Sequence, residues 1–154
     1  MFRSTNTTWG KIKSDGRMGE QLAEVWFRQN GWKMVRHQPA TRVIRLNGKP
    51  TIINCGRGGV ADYTGYEVVY LEDQNSRQCI PFFRAVEVKE AYGLRMPASR
   101  LDKKQREWLD DIDERSAFVG VCWMDNPIQF EVFQFIPKGA YCRGEGIKRQ
   151  VGMP

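Results

Sequence analysis

The segment Arg84-Ala85-Val86-Glu87-Val88-Lys89-Glu90 sets a carboxylate and an ammonium two residues apart in a run otherwise rich in strand-forming residues. Side chains alternate along a strand, so Val86 and Val88 share one face. Glu87 and Lys89 share the other, separated by roughly 7 Å. Such a pair is costly to bury unless it is matched or binds something. Alone, the pattern is also what any strand carrying an ion pair shows. Asp62 adds a second carboxylate, in the apolar approach Gly59-Val60-Ala61-Asp62-Tyr63-Thr64-Gly65. Two convergent carboxylates are hard oxygen ligands of the kind that hold Mg2+ or Mn2+. A metal so held stabilises charge on a phosphate and activates a water, and a second one can clamp the leaving oxygen. Lys89 would orient that water, help deprotonate it, or neutralise charge developing on the phosphate.

Two further side chains are candidates. Glu20 lies off the apolar stripe of a first helix and could reach the metal site from the flank, or be a solvated helix glutamate. Gln105 falls between Leu101 and Trp108 on a second helix. A polar side chain facing a sheet needs partners, either backbone or a water or phosphate at the site. Other chemistries are excluded by absence. His37 is the only histidine, so zinc sites and nucleases that need two histidines are ruled out. The four cysteines, Cys55, Cys79, Cys122 and Cys142, show no C-x2-C or C-x4-C spacing. They read as free thiols in a reducing compartment. Gly56-x-Gly58-Gly59 has no long helix after it and reads as a turn.

The elements that must carry these residues follow from periodicity. Met18, Leu22, Val25 and Trp26 predict a helix from about Gly16 to Asn30, with Asn30-Gly31 as its stop. Strands are expected at Trp32–His37, Thr41–Leu46, Val60–Tyr63, Tyr66–Leu71 and Ile80–Glu90, with turn chemistry at Asn47-Gly48 and at residues 73–77. Ser99 and Asp102 predict the start of a second helix over Arg100–Glu114, buried through Leu101, Trp108 and Ile112. Ala117–Met124 and Phe130–Ile136 complete the set. That order gives an α/β fold, a mixed central β-sheet flanked by helices. Residues 1–15 are expected to be a flexible basic arm, 16–137 the folded domain and 138–154 a basic tail.

The 154 residues carry a formal charge of +6 and a pI of about 9.3, which favours a polyanionic partner. Arg95, Arg100, Lys103, Lys104 and Arg106 surround the start of the second helix, an arrangement suited to phosphate. No apolar run is long enough to span a bilayer and Met1–Lys13 has no apolar segment, so a cytoplasmic protein without membrane contact is expected.

Glu20, Asp62 and Glu87-x-Lys89 resemble, in order and context, the PD-(D/E)XK nuclease signature, with Ala61 standing where that signature has its variable proline. The likeness extends from about Gly16 to Ile136 and is closer to RecU-type Holliday-junction resolvases. Arg17-Met18-Gly19-Glu20 is similar to their first-helix motif and Val86-Glu87-Val88-Lys89-Glu90 to their catalytic strand. Pro97, Lys104-Gln105 and Leu109 resemble the segment after it, where that family also carries a glutamine. Two departures stand out: a long stretch between Asp62 and Glu87 with an added strand or hairpin, and a chain shorter than is typical. The resemblance implies a restriction-endonuclease-like core and an Mg2+- or Mn2+-dependent endonuclease acting on branched DNA, a four-way junction above all. Flap or duplex DNA is the alternative substrate. It implies Asp62, Glu87, the Val88 backbone carbonyl and Glu20 as metal ligands, with Lys89 and Gln105 completing the catalytic set. Arg17 joins the phosphate-binding residues. A non-cleaving DNA-binding protein is the reading that the intact Asp62, Glu87 and Lys89 argue against. Paired nicks imply a homodimer, with Trp9, Tyr66, Tyr70, Phe82 and Phe83 as candidate contacts.

Overall fold

The structure, a computed structural model, describes residues 18–37, 41–54, 61–73 and 75–148. The N-terminal arm with Trp9, Arg17, and the turn around Gly56–Gly59 lie outside the described residues.

Residues 18–29 form helix α1, followed by β1 (Trp32–Arg36), β2 (Thr41–Leu46), β3 (Lys49–Asn54), β4 (Tyr63–Asp73) and β5 (Ser76–Ala91). After β6 (Arg95–Pro97) and a 3-10 turn (Ala98–Arg100) come α2 (Lys103–Asp111), β7 (Ala117–Trp123), β8 (Gln129–Gln134) and β9 (Ala140–Cys142). Five strands make one sheet in the order β1-β4-β5-β7-β8. Among the described strands only β5 and β7 run parallel, and α2 lies on the crossover between them, as a parallel pair requires. The fold is therefore α/β with a mixed sheet, as the element order predicts.

β7 reads Ala-Phe-Val-Gly-Val-Cys-Trp and is buried along its whole length, the signature of a strand covered on both faces. On one face Val119, Val121 and Trp123 pack with Leu101 and Leu109 near α2. On the other, Phe118, Val86, Tyr63 and Trp32 pack with Ala23 and Phe27 of α1. The stripe of α1 differs from expectation. Ala23 and Phe27 are buried, whereas Val25 is 38% exposed. The rows i, i+4 that point at the sheet run through Gly19, Ala23 and Phe27, because small residues let the helix approach. A Cβ on Gly19 would lie 3.1 Å from Glu90 Oε1.

Three other differences have local causes. β4 is a single long strand, and Asp62 stands just before its first residue. The second helix is shorter than its periodicity suggests. Asp102 is its N-cap and Ser99 belongs to the preceding 3-10 turn, so Leu101 is buried ahead of the helix. Residues 140–148, expected in a tail, fold onto the body. β9 pairs with β6, and Glu131 accepts hydrogen bonds from Trp123 Nε1 (2.8 Å), Gly144 N (2.7 Å) and Gly146 N (2.9 Å). That carboxylate ties the C-terminal segment to β8. No helix among the described residues is long and apolar enough to cross a membrane.

Candidate active site

Asp62 and Glu87 meet because β4 and β5 pair antiparallel with Tyr63 opposite Val86. That register sets the residue before Tyr63 beside the one after Val86. Asp62 N donates to Glu87 Oε2 (3.2 Å) and Val88 N donates to Asp62 Oδ2 (2.9 Å). The main-chain N–H of Asp62 thus holds the Glu87 carboxylate, and that of Val88, the next residue along β5, holds the Asp62 carboxylate. Ala61, 1% exposed, and the bond from His37 N to Asp62 O (2.8 Å) anchor the approach to Asp62. The His37 ring is exposed and lies 2.6 Å from Thr64 Oγ1, which is a structural position.

Glu87 is 1% exposed in the middle of the sheet. Burial, and then the charge of Asp62, push its carboxyl up to about 8, while Lys89 works in the opposite direction. Lys89 Nζ lies 3.9 Å from Glu87 Oε1, with a quarter of its side chain exposed. Gln105 Nε2 donates to the same Oε1 at 2.5 Å. The orientation of the Gln105 amide is set from its other end, where Asp102 N donates to Gln105 Oε1 (3.0 Å). Gln105 is the third residue after the N-cap, where a side chain can reach back to the cap. The bond that starts α2 therefore also aims an NH2 group at the buried carboxylate.

Glu20, Asp62, Glu87, Val88, Lys89, Glu90, Arg100 and Gln105 line one cavity of about 390 Å3. All five expected catalytic residues are among them. Glu20 is the most engaged elsewhere: its Oε1 accepts from Arg36 Nη2 at 2.7 Å, so its first partner is a guanidinium. Of the expected phosphate contacts, Arg100 reaches the cavity and donates to Glu90 O (3.0 Å). Arg95 and Lys104 are exposed, and Lys103 is 3.8 Å from Glu107 on the outer surface of α2. Arg106 is half-buried, with its Nε lacking a hydrogen-bond partner. Glu90 and Arg36 are site neighbours that the sequence reading does not single out. Glu90 is legible as the next residue in the Glu87-x-Lys89 strand, whereas nothing in the spacing points from Arg36 to Glu20.

Among the described residues no three His, Cys, Asp or Glu side chains converge into a metal cluster. The carboxylates that do meet are those of Asp62 and Glu87. That set suits Mg2+, which takes one or two carboxylates and keeps several waters. Comparison with protein-family models, with curated proteins and with solved structures finds no match for the chain.

Proposed function

We propose that the chain is a metal-dependent endodeoxyribonuclease that resolves four-way DNA junctions, with the restriction-endonuclease-like core that its sequence resemblance implies. One observation carries the reading: Asp62 before β4, Glu87 and Lys89 of β5 and Gln105 of α2 line a single cavity. Asp62, Glu87 and the Val88 carbonyl would hold Mg2+ or Mn2+, with Glu20 reaching it through water or by leaving Arg36. The bound ion would polarise the scissile phosphate and lower the pKa of its water. Gln105 keeps Glu87 oriented while its own amide stays locked to the α2 cap. Lys89 stands beside the carboxylates, where an ammonium orients an attacking water and offsets charge gathering on the phosphate. Among the described residues Cys79 and Cys142 are free thiols, which suits a cytoplasmic setting.

The decisive measurement compares labelled four-way junction, flap, linear duplex and single strand, with Mg2+, Ca2+ or EDTA. Paired nicks in the junction with Mg2+, binding but little cutting with Ca2+, and no cutting in EDTA are expected. Cleavage that persists in EDTA would end the metal reading. A preference for flap or duplex would leave the nuclease but remove the junction.

The hairpin β2–β3 supplies a natural phosphate contact. Among the described residues its strands pair with each other and not with the main sheet. Asn47 and Gly48 both have positive φ, 53° and 76°, the geometry of a tight two-residue turn between twisted strands. Residues 41–54 contain Arg42, Arg45 and Lys49 and no acidic residue, and Arg45 and Lys49 are exposed. A basic β-ribbon of this kind can lie along a nucleic-acid backbone. Arg45→Ala combined with Lys49→Ala should weaken DNA binding and reduce the slope of log K against log salt by about 2. Cleavage at saturating DNA should be unchanged. An unaltered salt slope in a titration of binding would place the DNA elsewhere.

A further inference from the structure

Among the described residues the second half of the β4–β5 pair has no neighbour in the sheet. β1 pairs with β4 only as far as Glu67, and β7 pairs with β5 only from Ala85 onward. From Val68 to Phe83 the two strands form a ribbon that no other strand of the described residues flanks. An isolated two-stranded ribbon is at best marginally stable in water. This one is also apolar on both faces. Tyr70 and Phe83, with Tyr66 at the ribbon's base beside β1, lie on the face shared with Asp62 and Glu87, by the alternation of side chains along the strands, and Leu71 and Phe82 lie on the other. These five are 37–49% exposed. Beside them Val35, 67% exposed, helps close a groove of about 810 Å3 with Tyr66, Val68, Cys79, Pro81 and Phe83.

Charge decides what fits there. Between Val68 and Phe83 the ionised residues are Glu72, Asp73 and Arg77, so the ribbon is slightly acidic. The β2–β3 hairpin, with three basic and no acidic residues, is the opposite. A phosphate backbone would select the hairpin and reject the ribbon. A protein surface of the same apolar character would select the ribbon. Glu72 and Arg77 are direct cross-strand partners, so two ribbons related by a two-fold axis can set each copy's Glu72 against the other's Arg77. The rings of Tyr66, Tyr70, Phe82 and Phe83, each 37–47% exposed, would contribute on the order of 300 Å2 of buried surface at roughly 200 Å2 per ring side chain. Strand edges, Leu71 and Val35 add to this, toward the ~800 Å2 per partner that a stable interface buries.

We propose that the β4–β5 ribbon is the surface on which two copies of this chain pair, the ribbon of each packing in the Val35–Phe83 groove of the other. The two-fold arrangement supplies the two active sites that paired nicking needs, and in that respect deepens the proposed function. The apolar ribbon and its groove exist whether or not the chain cuts DNA.

The test uses the full chain without DNA or metal, so its outcome is independent of cleavage. Light scattering at micromolar concentration should give about twice the 17.9 kDa chain mass. The double variant Tyr66→Lys, Phe83→Lys should give the single-chain mass while still melting cooperatively. Cys79, exposed and free and lining the groove, should be alkylated several-fold more slowly as wild-type concentration rises through the dimerisation range, with Cys142 as internal reference. This second readout needs no variant and holds if the double variant fails to fold. A wild-type monomer at all concentrations overturns the proposal, as does an unaltered dimer in a folded double variant. Protection of Cys79 by oligo(dT) at concentrations where the protein is monomeric would assign the face to nucleic acid and overturn it too.

Discussion

Glu87→Gln should lower single-turnover cleavage by a factor on the order of a hundred or more, and the same substitution should make the metal-free protein increasingly more stable than wild type as pH rises. The first effect follows from the loss of an anionic ligand next to Asp62. The second follows from the sheet position of Glu87. Its carboxyl is buried, and burial together with Asp62 lifts it from an ordinary 4.5 to about 8. Below 4.5 the folded and unfolded chains both carry it protonated, and it makes no demand. As pH rises from there, the unfolded chain releases the proton and the folded chain retains it, so stability is lost up to about 8 and then levels off. Glutamine does not titrate and escapes that loss. At low pH the variant gains nothing: an amide oxygen can accept from Gln105 or from Asp62 N, but its NH2 cannot accept from the other. Melting curves from pH 5 to 9 should therefore show a difference, variant minus wild type, that climbs with pH. Mg2+ should reverse the trend in wild type, because an ion that needs the ionised carboxylate stabilises most where that form is accessible. It should leave the variant little changed. A pH-independent difference in melting temperature would show that Glu87 is not held in its protonated form.

Much of this site is legible in the sequence because its parts lie where local rules apply. Glu87 and Lys89 declare themselves by interrupting an apolar strand at a spacing of two. Asp62 stands out as a carboxylate after Val60-Ala61, and Gln105 as an amide between Leu101 and Trp108. The burial of Gln105 is nevertheless not that of a core residue. It sits in the first turn of α2, and its partners are the cap and Glu87. Periodicity assigns it to a stripe, while the actual reason it is there is the N-cap at Asp102. Other features have no local signal. Glu20 and Arg36 pair across α1 and β1, and only the tertiary register of helix on sheet brings them together. β9 is three residues long, too short for any alternation to be read among the glycines and basic residues around it. What holds it is Glu131, whose carboxylate collects three donors and looks in the sequence like one more solvated strand residue. The extended ribbon is partly legible: Tyr66–Leu71 and Ile80–Glu90 both read as strands with a turn between them. Their departure from the sheet depends on where β1 and β7 stop.

Lys89→Ala should reduce the cleavage rate by a factor on the order of a hundred to a thousand, the range seen when a charge acting at a transition state is removed. DNA affinity should remain near wild type, because binding rests on many phosphate contacts of which this ammonium is at most one. The geometry adds a second consequence that separates the chemical role from the structural one. Lys89 Nζ is 3.9 Å from Glu87 Oε1 and its charge pulls the Glu87 carboxyl down against burial and Asp62. Without it that carboxyl rises further, so Mg2+ should bind more weakly at neutral pH and recover as pH or Mg2+ concentration is raised. If Lys89 served only to keep Glu87 ionised, saturating Mg2+ at alkaline pH would restore the rate in full. If it also positions water or meets charge on the phosphate, most of the rate deficit should persist under those conditions. We expect it to persist. The measurement is single-turnover cleavage across an Mg2+ titration at pH 7 and at pH 9, beside a gel-shift titration of DNA binding. A variant that regains the wild-type rate at saturating Mg2+ would reduce Lys89 to a counterion for Glu87, and a variant that never loses the rate would remove this strand from the active site.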